Sequence, residues 1–234
     1  MDCHFKADII PVDFVANSLI VTGWHTATHP EDRKLVMHIT SGVQNPITWG
    51  EILDFSRQSA IRSPSIKLVR PIARNPVSAR GVWGKVSHLF IKLFSHFVFA
   101  YIFDLFLLAT GNKRIMVKVT GKMHKAFDVL EHFTNHQWCF RYHHYGRIFE
   151  KLSSNEQAMF ESNVKSIDWM AYCDSLYMGS RRYLLNEDDS TIEAGLKRQH
   201  MLTIVYSIVN TVIYAACTGF ALYLGKSLYD VVLA

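Results

Sequence analysis

The chain has 234 residues, of which 49% are aliphatic, aromatic or cysteine, enough for a buried core in one large domain or two small ones. Thirteen of its 25 basic residues lie between Phe55 and Lys125 and face only Asp104, so a net charge of +5 conceals a basic belt in an otherwise acidic chain. The middle of that belt is the apolar stretch LFSHFVFAYIFDLFLLATG, which argues against a nucleic-acid partner and for an anionic membrane surface or a phosphate-bearing ligand.

The opening MDCHFKADII has no apolar core of the kind a secretory signal needs. Cys3, Cys139, Cys173 and Cys217 show no CxxC spacing and predict reduced thiols. In PVDFVANSLIVTGW, Val12, Val15, Ala16, Leu19 and Ile20 recur at helical spacing behind Pro11, a helix starter. Leu35 to Thr40, LVMHIT, is a short continuous apolar run that predicts a strand covered on both faces. Ser41-Gly42 ends it, and Thr48 with Glu51 forms a capping box that opens a helix through Trp49, Ile52 and Leu53. This order predicts an α/β fold class for residues 1–62, the closing elements of a Rossmann-like sheet.

Residues 63–87, beginning SPSIKLVRPIARNP, are rich in proline and basic residues and predict a linker. Residues 88–111 form the first apolar segment. On a helical wheel Phe90, Phe94, Phe97, Tyr101 and Leu108 fall together, while His88, Lys92, Ser95 and His96 share another face. That pattern suits a helix lying in a membrane interface and equally a buried core helix, and the sequence leaves both open.

Residues 112–200 read as all-helical: Met123, Phe127 and Leu130 repeat at helical spacing, as do Tyr145, Ile148, Phe149 and Leu152, then Trp169, Tyr172, Cys173 and Leu176. Ser153 with Glu156, or Ser154 with Gln157, is placed to cap a helix between the last two groups. Glu187, Asp188 and Asp189 suggest a solvated loop. Met201 to Leu224 carries no charged residue, and at about 1.5 Å per residue it reaches the roughly 30 Å of a hydrocarbon core. Arg181, Arg182, Lys197 and Arg198 precede it, so the positive-inside rule predicts a transmembrane helix over 201–224, a cytosolic body and a short tail, 225–234. A buried core helix is the alternative.

Three stretches carry a resemblance. ADIIPVDFVANSLI, HITSGVQNPITWGEI and above all SIDWMAYCDSLYMGSRRYLLNED, with KMHKAFDVLEHFTNHQWCF between them, resemble the fatty acyl-CoA reductases of the extended short-chain dehydrogenase group, from Ala7 to about Ala194. The last two stretches are similar to the helical C-terminal "sterile" domain of that family. The resemblance implies NADPH-dependent reduction of a long-chain fatty acyl-CoA to a fatty alcohol, on the endoplasmic reticulum or peroxisome membrane, with the acyl-CoA and the membrane as partners and an oligomeric state left open.

The two motifs on which that chemistry rests do not occur here. No GxGxxG turn is present, and GVWGK at Gly81 to Lys85 follows a proline-rich segment in place of a strand. No tyrosine has a lysine four residues on; Tyr177 has Arg181, within the helical domain. The sequence therefore assigns no catalytic, cofactor-binding or metal-ligating residue. It predicts the C-terminal portion of a reductase, inactive by itself, or alternatively a non-catalytic membrane-anchored remnant.

His132 and His136, with His143 and His144 nearby, open a third reading as a histidine-box di-iron enzyme. A full ligand set for that chemistry is missing.

Overall fold

The computed structural model describes residues 2–34, 36–72, 89 and 91–233. Gly81 to Lys85, and His88 and Phe90 of the first apolar segment, lie outside them. Among the described residues the chain is helical, with α1 at Val12–Thr28, α2 at Trp49–Arg62, α3 at Phe99–Ala109, α4 at Met116–Thr134, α5 at His143–Phe149, α6 at Ser154–Met159, α7 at Trp169–Gly179 and α8 at Ile192–Leu233. A π-helical segment, Ile91–Val98, leads into α3. Two compact units are formed, Met1–Asp54 with Pro76–Met170, and Phe55–Asn75 with Ala171–Ala234.

The α/β expectation is corrected. The sheet consists of β1, Lys6–Ala7, paired antiparallel with β2, Ile47–Thr48. Residues 36–40 belong to no strand. Met37 and Ile39 pack against a core of Val21, Tyr145, Ile148 and Phe149, while Val36 is exposed. The apolar run is thus one-sided and rests on helices, so it has no need of the strand neighbours that a doubly covered run implies.

In the first unit local signals act as the sequence suggests. Pro11 sits just before α1. Thr48 and Glu51 make a reciprocal box, Glu51 N–H donating to Thr48 Oγ1 at 3.2 Å and Thr48 N–H to Glu51 Oε2 at 2.8 Å. Of the two caps open for α6, Ser153 with Glu156 is the one formed. The segment before β2 is pinned by side chains. The Asp8 carboxylate accepts from the backbone N–H of Ser41 at 2.9 Å and from the Thr40 hydroxyl. Asn45 Nδ2 donates to the carbonyls of Val164 and Ile167 at 3.0 and 2.8 Å, and Trp169 Nε1 donates to Asn45 Oδ1 at 3.0 Å.

The second unit is organised round a buried ion pair. Arg181 Nε lies 3.5 Å from Glu187 Oε2, both side chains 1% exposed, and Ser65 Oγ donates to Glu187 Oε1 at 2.7 Å. Glu187 therefore departs from the solvated acidic loop expected of the triplet, whereas Asp189 pairs with Arg182 at the surface, 2.7 Å away. At Gly195 a Cβ would fall 2.0 Å from the Pro64 carbonyl oxygen, so only glycine lets α8 lie against residues 64–68.

The transmembrane expectation is also corrected. Among the described residues no helix is long and apolar enough to cross a membrane. The run from Met201 to Leu224 lies within the 42-residue α8, where Thr203, Thr211 and Thr218 donate their hydroxyls back to the carbonyls of Gln199, Ser207 and Tyr214. The localisation built on a single C-terminal transmembrane helix loses its support with it.

Candidate functional site

The feature that best joins sequence to chemistry is the helical hairpin of α3 and α4, in the middle of the basic belt. Its turn is closed by Gly111 at φ 75°, the left-handed position that favours glycine. The Asn112 N–H reaches the Leu107 carbonyl at 2.7 Å and the Gly111 N–H the Leu108 carbonyl at 3.1 Å, satisfying the end of α3.

The start of α4 has no conventional capping residue; Ile115 occupies that place. Asp104 does the work from α3. Its Oδ1 accepts from Ile115 N–H at 2.9 Å and Met116 N–H at 2.8 Å, and its Oδ2 from Val117 N–H at 3.0 Å. Burial opposes the Asp104 charge, yet the three amide donors outweigh it and hold the carboxyl below the usual aspartate value. The belt's lone acid is therefore structural. At the other end of the hairpin His124 stacks on Phe97 with ring centroids 5.3 Å apart, and its Nε2 lies 3.1 Å from His96 Nδ1.

Between the two helices opens a cleft of about 380 Å³ lined by Tyr101, Asp104, Leu105, Arg114, Val117 and Lys118. With Asp104 committed to backbone amides, the cleft offers an apolar wall and two cations. Such a surface suits an amphipathic anion.

The histidines gather differently from a metal box. The His132 and His136 rings lie 4.5 Å apart, with His136 Nδ1 2.7 Å from the His132 carbonyl oxygen and both rings beside Trp138. His143 and His144 form a second pair, and burial, with electrostatic repulsion from His143 and Arg147, lowers the His144 pKa. Among the described residues no group of three or more histidine, cysteine or acidic side chains is arranged to hold a metal ion. The di-iron alternative thus has no ligand set there.

Tyr177 and Arg181 do not form a proton-donor pair. Arg181 turns to Glu187, and burial raises the Tyr177 pKa more than Arg181 lowers it. Nor do the two glycines beside the sheet fit the pyrophosphate of NADPH. At the junction of β2 and α2 the space a Gly50 side chain would take is filled by the Cys3 carbonyl oxygen, 2.9 Å from that point, and Gly50 N–H donates to the same oxygen. Gly42, the other glycine near the sheet, faces the Asp8 carboxylate, which would repel a pyrophosphate.

Asn45 and Asp104 are the organising residues that sequence reasoning missed. Asp104 carried a signal, as the one acid among thirteen cations. Asn45 carried none beyond its place before Pro46.

Comparison with known proteins gives this geometry its context. The Male sterility protein family matches residues 95–187, which include the hairpin and end at Glu187. Human fatty acyl-CoA reductase 2 is 30% identical over 208 residues, 89% of this chain and 39% of the relative. Mouse fatty acyl-CoA reductase 2 is 30% identical over 216 residues, and rat fatty acyl-CoA reductase 1 is 28% identical over 207. The chain spans about two fifths of the length of these curated relatives, 39% in each case.

Proposed function

We propose, for a chain related to the C-terminal portion of the fatty acyl-CoA reductases and carrying a male sterility region, a part in the NADPH-dependent reduction of long-chain fatty acyl-CoA to fatty alcohol. The observation that carries this reading is the relationship itself, sustained over 89% of the chain. The hairpin cleft agrees with it in chemistry. A long-chain acyl-CoA is an amphipathic anion, and Arg114 and Lys118 stand beside the apolar Tyr101, Leu105 and Val117.

The chain's share in that reaction is that of a helical portion of a longer reductase. Hydride chemistry needs a glycine turn that exposes backbone amides to a pyrophosphate, and here Gly50 and Gly42 are closed off by Cys3 and Asp8. No reductive step is therefore assigned to these residues, and the 234-residue chain alone is inactive in this reading.

The test compares two preparations with palmitoyl-CoA and NADPH. Native protein captured by an antibody to residues 143–200 is expected to form hexadecanol, while the recombinant 234-residue chain forms none. Captured protein that leaves palmitoyl-CoA unreduced overturns the reductase assignment. Alcohol made by the recombinant chain alone overturns the division of labour.

A further inference from the structure

Outside the basic belt acids outnumber cations, yet in the first unit three cations converge on a single carboxylate. Lys34 Nζ lies 2.8 Å from Asp32 Oδ1, and Lys151 Nζ lies 3.3 Å from Asp32 Oδ2. Arg147, four residues before Lys151, donates to His144 Nδ1 at 3.2 Å and has no carboxylate partner among the described residues. A guanidinium can only donate, so the neutral His144 ring carries its proton on Nε2 and adds a further donor. These five side chains and Ile148 line a cleft of about 130 Å³. Neither neighbouring acid, Glu31 or Glu150, lines it.

Helix-end electrostatics explain part of the cluster, since Arg147 and Lys151 stand at the C-terminal end of α5, where cations complement the dipole. Lys34 has no such reason to be there; it arrives from the segment after the short 3-10 helix Pro30–Asp32. Three cations against one carboxylate leave two positive charges in excess. Two imidazoles register that excess. After burial, repulsion from Lys151 and His29 lowers the His25 pKa, and repulsion from His143, Arg147 and Lys34 lowers that of His144, in each case against the pull of Asp32.

We propose that this cleft binds a phosphate group, either the free ion or the terminal monoester of a larger molecule. Near neutral pH a phosphate group approaches two negative charges, which match the excess, and its oxygens accept from the guanidinium, ammonium and imidazole donors. A carboxylate ligand would leave one positive charge uncompensated. Size points the same way. At roughly 30 Å³ for each water the cleft holds about four, room for one tetrahedral group and well below the ~300 Å³ or more of a pocket that encloses a whole organic ligand. Asp32 is a positioning residue, holding the two lysines at the rim. The cleft stands apart from the reductase reading, since it needs neither NADPH nor acyl-CoA.

The experiment follows the histidine ring signals of the 234-residue chain by NMR during titration with sodium phosphate or glycerol 3-phosphate, at constant ionic strength set by sodium chloride. The His144 signals are expected to shift and saturate. Arg147→Gln and Lys34→Gln should each weaken binding by about tenfold or more, with an unchanged urea midpoint for the exposed Arg147. Lys165→Gln, an exposed lysine outside the cleft, should bind as wild type does. Tighter binding of inorganic phosphate assigns the site to the free ion, and equal or tighter binding of glycerol 3-phosphate assigns it to a monoester on a carrier. Shifts that never saturate, or that chloride alone reproduces, overturn the proposal. Unchanged affinity in Arg147→Gln and Lys34→Gln overturns it too, by placing the contact elsewhere in the chain.

Discussion

The Asp104 carboxylate of α3 holds the backbone N–H of Met116, the first residue of α4, at 2.8 Å, so one helix supplies the cap that the next one lacks. An acid at the start of a helix satisfies amides that have no carbonyl to bond and complements the positive end of the helix dipole. The hairpin therefore depends on one side chain.

Asp104→Ala is expected to loosen the first turn of α4 and leave α5 to α7 intact. Amide exchange at Ile115, Met116 and Val117 should quicken by about tenfold or more. The contribution also has a sign in pH. The Asp104 pKa is lowered on folding, so its stabilisation is complete above the ordinary aspartate value, about 3.9, and is lost as pH falls through the lower folded value. Exchange at these amides in Asp104→Asn, followed down the same pH range, should show none of that loss.

Asn45 gathers three hydrogen bonds at one point: two from its amide to the carbonyls of Val164 and Ile167, and one from the Trp169 indole. Asn45→Ala removes the side-chain donor from both carbonyls in a partly buried place, while the Val164 carbonyl keeps the Ile167 N–H at 3.3 Å and the Trp169 indole keeps the Asn45 backbone carbonyl at 3.1 Å, at a cost of about 1–3 kcal/mol. Trp169→Phe removes the one indole N–H, which Asn45 accepts at both its backbone and side-chain oxygens, and should cost about 1–2 kcal/mol. Urea denaturation of the two single variants and the double variant measures the coupling. Additive losses would show that Trp169 and Asn45 act separately.

These two residues mark the limit of what the sequence made legible. Local chemistry was readable: Pro11 before α1, and the boxes of Thr48 with Glu51 and Ser153 with Glu156, are encoded within four residues. Partners distant in sequence were not. Asn45 is 119 residues from Val164, and nothing in its own neighbourhood announces a contact there. The strand reading of 35–40 failed for a related reason, because an apolar run does not say whether helices or strands cover it. The crossing expected over 201–224 was not sustained, since among the described residues no helix is long and apolar enough to cross a membrane. The resemblance to the fatty acyl-CoA reductases was legible, since it rests on long stretches of unusual composition and not on distant contacts.

His25 gives the first unit a second pH dependence. Its side chain is 1% exposed, stacked on His29 with ring centroids 4.7 Å apart, and its Nε2 lies 3.5 Å from Lys151 Nζ and 3.6 Å from Asp32 Oδ2. Burial first, then Lys151 and His29, lower its pKa, against the opposite pull of Asp32 and Glu31. A base whose folded pKa is depressed binds its proton more readily when unfolded. The protein should therefore lose stability as pH falls below the ordinary histidine value of about 6.5, with no effect from this group above it. Urea midpoints measured on either side of that value should differ for wild type and draw together in His25→Gln. An unchanged gap would assign the effect to another group.

The Arg181–Glu187 pair separates the value of a buried ion pair from the penalty of breaking one. Glu187→Gln leaves the Arg181 guanidinium buried without its counter-charge, and about 3–5 kcal/mol of stability should be lost. In the double variant Arg181→Met, Glu187→Leu no charge remains to be buried, and Ser65 and Thr191 lose one side-chain partner each. The double variant should consequently be more stable than Glu187→Gln, although it departs further from the native sequence. That ordering in urea denaturation would identify uncompensated charge as the source of the loss. The reverse ordering would show that the hydrogen bonds of the pair to Ser65 and Thr191 matter more than its charges.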